Sequence, residues 1–251
     1  MILKVINLDR ALERMSRFIE WRDRLTVERW VAVDGAAHDR DEFIEAGIIT
    51  PDNAYSPGAL GCAMSHVNLW QLCAAGDEPF HIAEDDTVLR HDFKEAAEAA
   101  LAQLSDWDIV LWTHNVDWPV LINPGGVGIT LLYQHTVAPD LAFQSATVAP
   151  KVMPLVAAAG TGCYSVSPAG ARRMLADCLP IANETAPYFS GAPNDWGNSG
   201  IDVELSRHYA RWRAYVAIPV IAINGNDQSQ STIRGHMAQI FDPASANRAI
   251  V

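Results

Sequence analysis

An α/β fold, a mostly parallel sheet flanked by helices in a single domain, is the class this sequence predicts. Short apolar runs alternate with amphipathic stretches through residues 1–112, the order that builds parallel sheets. One run, Phe80-His81-Ile82-Ala83, ends abruptly in Glu84-Asp85-Asp86, and open α/β sheets bind ligands at the carboxyl ends of their strands. Hydrophobic residues make up 49% of the 251 and charged residues 19%, which suits a packed core and not a disordered chain.

Lys4 to Arg10 reads as a first buried strand, followed by Leu12, Met15, Phe18 and Ile19 at helical spacing. Trp30 to Val33 is a second apolar run, closed by the turn signal Asp34-Gly35. Residues 36–56 are polar and read as irregular. A helix runs from Pro57 to Gly76, with Leu60, Met64, Val67 and Trp70 on one face. The acid-tipped strand follows at once, then a helix over 91–104 rich in helix formers and a strand over 108–112. In 113–157, Pro, Gly and Asn interrupt short apolar pieces, so loops and a hairpin are expected, a wall or lid for a cleft. Thr161 to Val166 is a strand. Ser167-Pro168 caps the helix that follows to Cys178. A loop over 183–200, a helix over 200–211, a strand from Ala214 to Ile223 and a polar tail complete the chain. This divides into a ligand-binding half, 1–112, and a partner-facing half, 113–251.

A net charge of −12 argues against a nucleic-acid surface, which needs a basic stripe. It also repels phosphorylated ligands, a difficulty that a bound cation would remove. Cys62, Cys73, Cys163 and Cys178 form no C-x-x-C pair and have no histidine at zinc-like spacing. They read as small buried hydrophobes in a reducing compartment. The first residues do not form a signal peptide, and no apolar run reaches the roughly 20 residues of a membrane span. A cytoplasmic protein without a transmembrane segment is expected, with any membrane contact peripheral, at the inner membrane.

Three adjacent acids at a strand end call for a divalent cation, Mn²⁺ or Mg²⁺, both of which favour oxygen ligands. Glu84 and Asp86 fit because residues i and i+2 of an extended segment point to one side. The alternative is a solvated acidic turn. His236, in the tail, is a further candidate ligand, or else an ordinary surface histidine.

Val5-Ile-Asn-Leu-Asp-Arg10, Ala32-Val-Asp-Gly35, Leu60-Gly-Cys-Ala-Met-Ser-His66 with Trp70, Ile82-Ala-Glu-Asp-Asp86, and Gly162-Cys-Tyr-Ser-Val-Ser with Gly170-Ala occur in this order. Together they resemble glycosyltransferase family 25, which includes bacterial lipopolysaccharide and lipooligosaccharide β-glycosyltransferases and procollagen galactosyltransferases. The resemblance implies a GT-A-type, Rossmann-like fold and an acidic motif holding a divalent cation. It also implies inverting transfer of a hexose, commonly galactose, from a UDP-sugar donor to a glycan or lipid-linked oligosaccharide acceptor. Ala83 departs from the family pattern, where a larger aliphatic residue is usual, and 113–157 matches none of it.

On this reading Asp86 is the preferred metal ligand, Glu84 binds metal or the ribose, and Asp85 contacts the donor sugar. Asn7, Leu8, Arg10, Arg14, Asp34 and Gly35 lie where the nucleotide would rest. Ser65 and His66 are donor-side candidates on the helix from Pro57, His66 being nearly as well explained as a core histidine. Inversion needs a base for the acceptor hydroxyl. Asp202, after the aromatic-bearing loop, is the choice, with Asp195 and Glu204 as rivals; a helix N-terminal acid is the plain alternative. Tyr188 and Trp196 could stack on an acceptor sugar. A D-x-D phosphatase would need an aspartate where Glu84 stands, and no G-x-G-x-x-G follows the first strand as a dehydrogenase requires. A non-catalytic sugar- or nucleotide-binding module would need no acid triplet.

Overall fold

The computed structural model describes residues 1–21, 23–115, 118–132, 141–186 and 196–224. Its strands are β1 (Ile2–Asn7), β2 (Thr26–Val31), β3 (Phe80–Glu84), β4 (Thr87–Leu89), β5 (Ile109–Leu111), β6 (Val120–Ile122), β7 (Thr130–Leu132), β8 (Lys151–Ala157), β9 (Cys163–Val166), β10 (Thr185–Ala186), β11 (Trp196–Gly197), β12 (Ala214–Ile218) and β13 (Ala222–Asn224). Its helices are α1 (Leu12–Ile19), α2 (Arg40–Glu45), α3 (Pro57–Ala75), α4 (Phe93–Leu101), α5 (Leu141–Gln144), α6 (Pro168–Cys178) and α7 (Ile201–Ser206).

Among the described residues, nine strands form one sheet in the order β2-β1-β3-β9-β5-β12-β8-β6-β7. β2, β1 and β3 pair in parallel, as do β5 and β12, and β9 lies antiparallel between β3 and β5. β6 is reversed twice relative to β12, through β8, so six of the nine strands point the same way.

Strand residues alternate between the sheet's two faces, and the two core clusters record this alternation. Ile82, Ile109, Leu111, Tyr164 and Val166 face one cluster with residues of α3, α6 and α7. Ala83, Val110 and Cys163 face the other, with Phe18 of α1 and Phe93 of α4. Helices thus cover both faces, as an apolar sheet requires. The small Ala83 shares its cluster with the bulky Phe18, Phe93 and Trp112.

Several boundaries differ from the sequence reading. β1 stops at Asn7, and Asp9–Ala11 turns as a 3-10 helix. The 36–56 stretch contains α2, opened by a capping box between Asp39 and Glu42. The expected hairpin in 113–157 is β6–β7, and the segment also supplies β8, an inner strand of the main sheet. The 214–223 strand is two strands. β13 leaves the main sheet and pairs with β4, setting Asn224 opposite Thr87. The Ser167 cap holds as expected, its hydroxyl accepting from the Gly170 N–H at 2.9 Å.

Three glycines of the matched motifs are close-packing points. A Cβ on Gly35 would lie 1.9 Å from the Pro57 carbonyl oxygen, and one on Gly61 would lie 2.5 Å from the Gly35 nitrogen. This contact seats the Asp34-Gly35 turn on the start of α3. A Cβ on Gly170 would strike the Asp108 carbonyl at 2.1 Å, so α6 rests directly on the entry to β5.

Candidate active site

β3 carries Glu84 to the end of the sheet, and a two-residue turn, Asp85-Asp86, leads straight into β4. The turn is fastened to the 160–162 segment. The Glu84 N–H and the Thr87 hydroxyl both donate to the Gly162 carbonyl, at 2.9 and 2.6 Å. A Cβ on Gly162 would lie 1.9 Å from Asn224 Oδ1, so a larger residue there would have to displace the Asn224 side chain.

The three acids have different surroundings. Asp85 is buried and turned toward β1 and α1: Asn7 Nδ2 donates to Oδ2 at 2.6 Å, and Arg14 pairs with Oδ1 at 2.6 Å. Burial nonetheless holds its carboxyl above the usual range. Glu84 accepts from the Thr161 hydroxyl at 2.7 Å, and His66 Nε2 lies 3.6 Å from its Oε1. Burial raises the Glu84 carboxyl, but His66, Thr161 and Arg14 outweigh it, and the net shift is downward. Asp86 is pushed up to about 6, first by burial and then by the Glu84 charge. Its Oδ1 is buried with no hydrogen-bond partner among the described residues, and Arg14 stands 3.8 Å from Oδ2. An unsatisfied buried carboxylate oxygen is costly. Beside a second carboxylate, it suits a hard divalent cation. Glu84 and Asp86 therefore fit the expected metal, whereas both oxygens of Asp85 are engaged by protein.

Around these acids the structure gathers arginines. Arg17 donates to the Asp86 carbonyl at 3.2 Å. Arg29, which the sequence reading passed over, donates to Asn7 Oδ1 at 2.8 Å and pairs with Asp9 at 2.6 Å. Arg10 pairs with Asp34, whose Oδ1 also accepts from the Ala36 N–H at 3.2 Å. Leu8 precedes the 3-10 turn and accepts from the Ala11 N–H at 2.9 Å.

His66 and Ser65 are neighbours on α3 with different surroundings. His66 Nδ1 meets the Tyr164 hydroxyl at 2.9 Å, and that hydroxyl also accepts from Trp70 Nε1 at 2.8 Å. Nε2 is left facing Glu84. Ser65 is fully buried; its hydroxyl donates to the Gly61 carbonyl and accepts from the Val33 N–H. It joins Gly35 in packing the turn onto α3.

Asp202 opens α7 and accepts from the Gly160 N–H at 3.0 Å. The 160–162 segment thus links it to Glu84. Burial raises its carboxyl, with the Glu84 charge adding to the effect. Glu204 lies on the inner side of the same helix, fully buried among Asn198 (2.6 Å), Arg207 (2.7 Å) and His208 (3.0 Å). Its carboxylate is committed to that network. Trp196 stacks on Trp118 with centroids 4.5 Å apart; Trp118 was not singled out from the sequence. Tyr188, Asp195 and His236 lie outside the described residues.

All four cysteines are free. Cys62 and His66, one turn apart on α3, lie with Glu84 in a group whose ligand atoms are all within 4.8 Å of one another, and Cys178, Glu204 and His208 form another such group. In each group a residue from a separate element joins a pair four residues apart in sequence. Among the described residues, no helix is long and apolar enough to cross a membrane.

Comparison with known proteins follows the same residues. The sequence model of glycosyltransferase family 25, described as LPS biosynthesis protein, matches residues 2–186. A protein of Anopheles gambiae named glycosyltransferase 25 family member is 28% identical over 120 residues, 42% of this chain and 20% of that protein. The matched stretch of this chain therefore spans about a fifth of that relative's length.

Proposed function

The chain belongs to glycosyltransferase family 25, and from that premise we propose a metal-dependent, inverting hexosyltransferase with a GT-A-type fold. It moves a sugar, galactose by the family resemblance, from UDP to a hydroxyl of a glycan or lipid-linked acceptor. The observation that carries the metal dependence is the buried, unpartnered Asp86 Oδ1 beside Glu84. Those two residues would hold Mn²⁺ or Mg²⁺, with His236 a further candidate. The bound ion would supply positive charge to the leaving diphosphate.

The chain's own residues account for the remaining steps. Asn7, Leu8 and the Arg10–Asp34 pair lie at the carboxyl end of β1, where a nucleotide would rest. Arg14 and Arg17 bring cationic charge to the acid turn of a protein with net charge −12. Asp85 fixes Asn7 and Arg14 in place. Asp202 accepts the proton of the acceptor hydroxyl as its oxygen bonds to the anomeric carbon and the bond to phosphate breaks. A raised carboxyl is better suited to that proton than an ordinary one. Trp196, stacked on Trp118, is the aromatic on the acceptor side. A hydrolysis screen without acceptor tests this reading. UDP release should be fastest from UDP-galactose and should require Mn²⁺ or Mg²⁺. Failure to bind or cleave any UDP-sugar would refute it.

A further inference from the structure

We infer that Cys62, His66 and Glu84 form a second metal site, for a thiophilic or borderline ion of the Zn²⁺ class. Their ligand atoms all lie within 4.8 Å of one another. His66 is fully buried, and its Nε2 has no hydrogen-bond partner among the described residues. At 3.6 Å from Glu84 Oε1, that nitrogen is too far for a hydrogen bond. The distance does suit an ion shared between them. With bonds of about 2.0–2.1 Å, a tetrahedral ion spaces its nitrogen and oxygen ligands roughly 3.4 Å apart.

The surroundings are arranged as they are around bound metals. A ligating histidine commonly has its other ring nitrogen fixed by a partner, and a ligating carboxylate is itself hydrogen-bonded. Here Tyr164 meets His66 Nδ1 at 2.9 Å while Trp70 steadies the same hydroxyl, and Thr161 donates to Glu84 at 2.7 Å. Sulfur and imidazole ligands select Zn²⁺-class ions over Mg²⁺. Ion binding would displace the Cys62 thiol proton, since the thiolate is the ligand. Three protein ligands leave a fourth position open, as in zinc sites that exchange water or substrate. The other cysteine-containing set is a poorer candidate, since Glu204 already accepts from Asn198 and Arg207 and meets His208.

Glu84 belongs to both sites. If the transferase reading holds, a Zn²⁺-class ion would draw this carboxylate away from Asp86 and inhibit transfer. The existence of the second site does not depend on that reading, so its test uses no substrate. Co²⁺, a spectroscopic stand-in for Zn²⁺, is titrated into the metal-free protein while the thiolate-to-cobalt charge-transfer band is followed. The wild type should develop the band, and Zn²⁺ should abolish it. Cys62→Ser should lose it, although Cys73, Cys163 and Cys178 remain as internal controls. Tyr164→Phe, which keeps the ring and removes the hydroxyl, should weaken binding about tenfold or more. A wild type without the band, or a Cys62→Ser variant that retains it, overturns the assignment.

Discussion

Asp86→Asn should stabilise the metal-free protein while removing its response to Mn²⁺. Burial and the Glu84 charge push the Asp86 carboxyl from an ordinary 3.8 up to about 6. At about 1.36 kcal/mol for each pH unit, this sets an upper bound of about 3 kcal/mol on the cost of keeping it ionised. The side chain is 36% exposed, and solvent screening reduces the figure to about 1 kcal/mol. The folded state holds the proton up to about pH 6, whereas the unfolded chain releases it near 3.8. Folding is therefore favoured below that window, and stability is lost as pH rises through it. An asparagine imitates the protonated form. The variant should match the wild type below about pH 4 and exceed it by about 1 kcal/mol at about pH 8. That is about 2–4 °C in melting temperature for a chain of this size. Arg14 keeps its 2.6 Å pair with Asp85 in either case. Saturating Mn²⁺ should reverse the order, since a ligand at about 100 times its dissociation constant adds about 2.7 kcal/mol to the protein that binds it. Thermal melts in chelator and in Mn²⁺, at both pH values, measure all four cases. A variant that melts lower than the wild type in chelator at the higher pH, or a difference independent of pH, would refute the reasoning.

Three other substitutions probe separate parts of the account. Gly35→Ala drives a Cβ into backbone, 1.9 Å from the Pro57 oxygen. It should cost about 1–3 kcal/mol or more, read as a lower denaturant midpoint; an unchanged midpoint would deny the close-packing role. Glu204→Gln removes the buried charge that faces Arg207 and His208 while Glu184 still pairs with Arg207, and should cost about 1–3 kcal/mol by chemical denaturation. A near-neutral result would mean that the network is not what holds α7 in place. Asp202→Asn should keep UDP affinity and lose transfer, because it removes the proton acceptor and spares the acid turn. Retained turnover would move the base elsewhere.

The acid turn was legible because its signal is local: an apolar run meets three carboxylates within four positions. The division of roles among those acids was not, because it depends on chain crossings. Asp85 turns to Asn7 and Arg14, and Glu84 meets Thr161 and His66. β4 escaped notice because only two residues separate it from β3, fewer than a polar break needs to stand out. β8 carries Pro154, which argues against an inner strand. It is accommodated beside an irregularity in the β6–β8 pairing at Leu121/Ile122. α2 has only one buried side chain, Phe43, so it shows little apolar periodicity. Gly35 and Ser65 also pack the Asp34 turn onto α3, a role that depends on a contact between distant segments and so is not legible in the sequence.

Calorimetric titration of UDP into wild type and Asp86→Ala, each with and without Mn²⁺, tests the central claim most directly. The account predicts weak binding to the wild type without metal, a large gain with Mn²⁺, and no gain in the variant. Equal UDP affinity of the wild type in both buffers would contradict it.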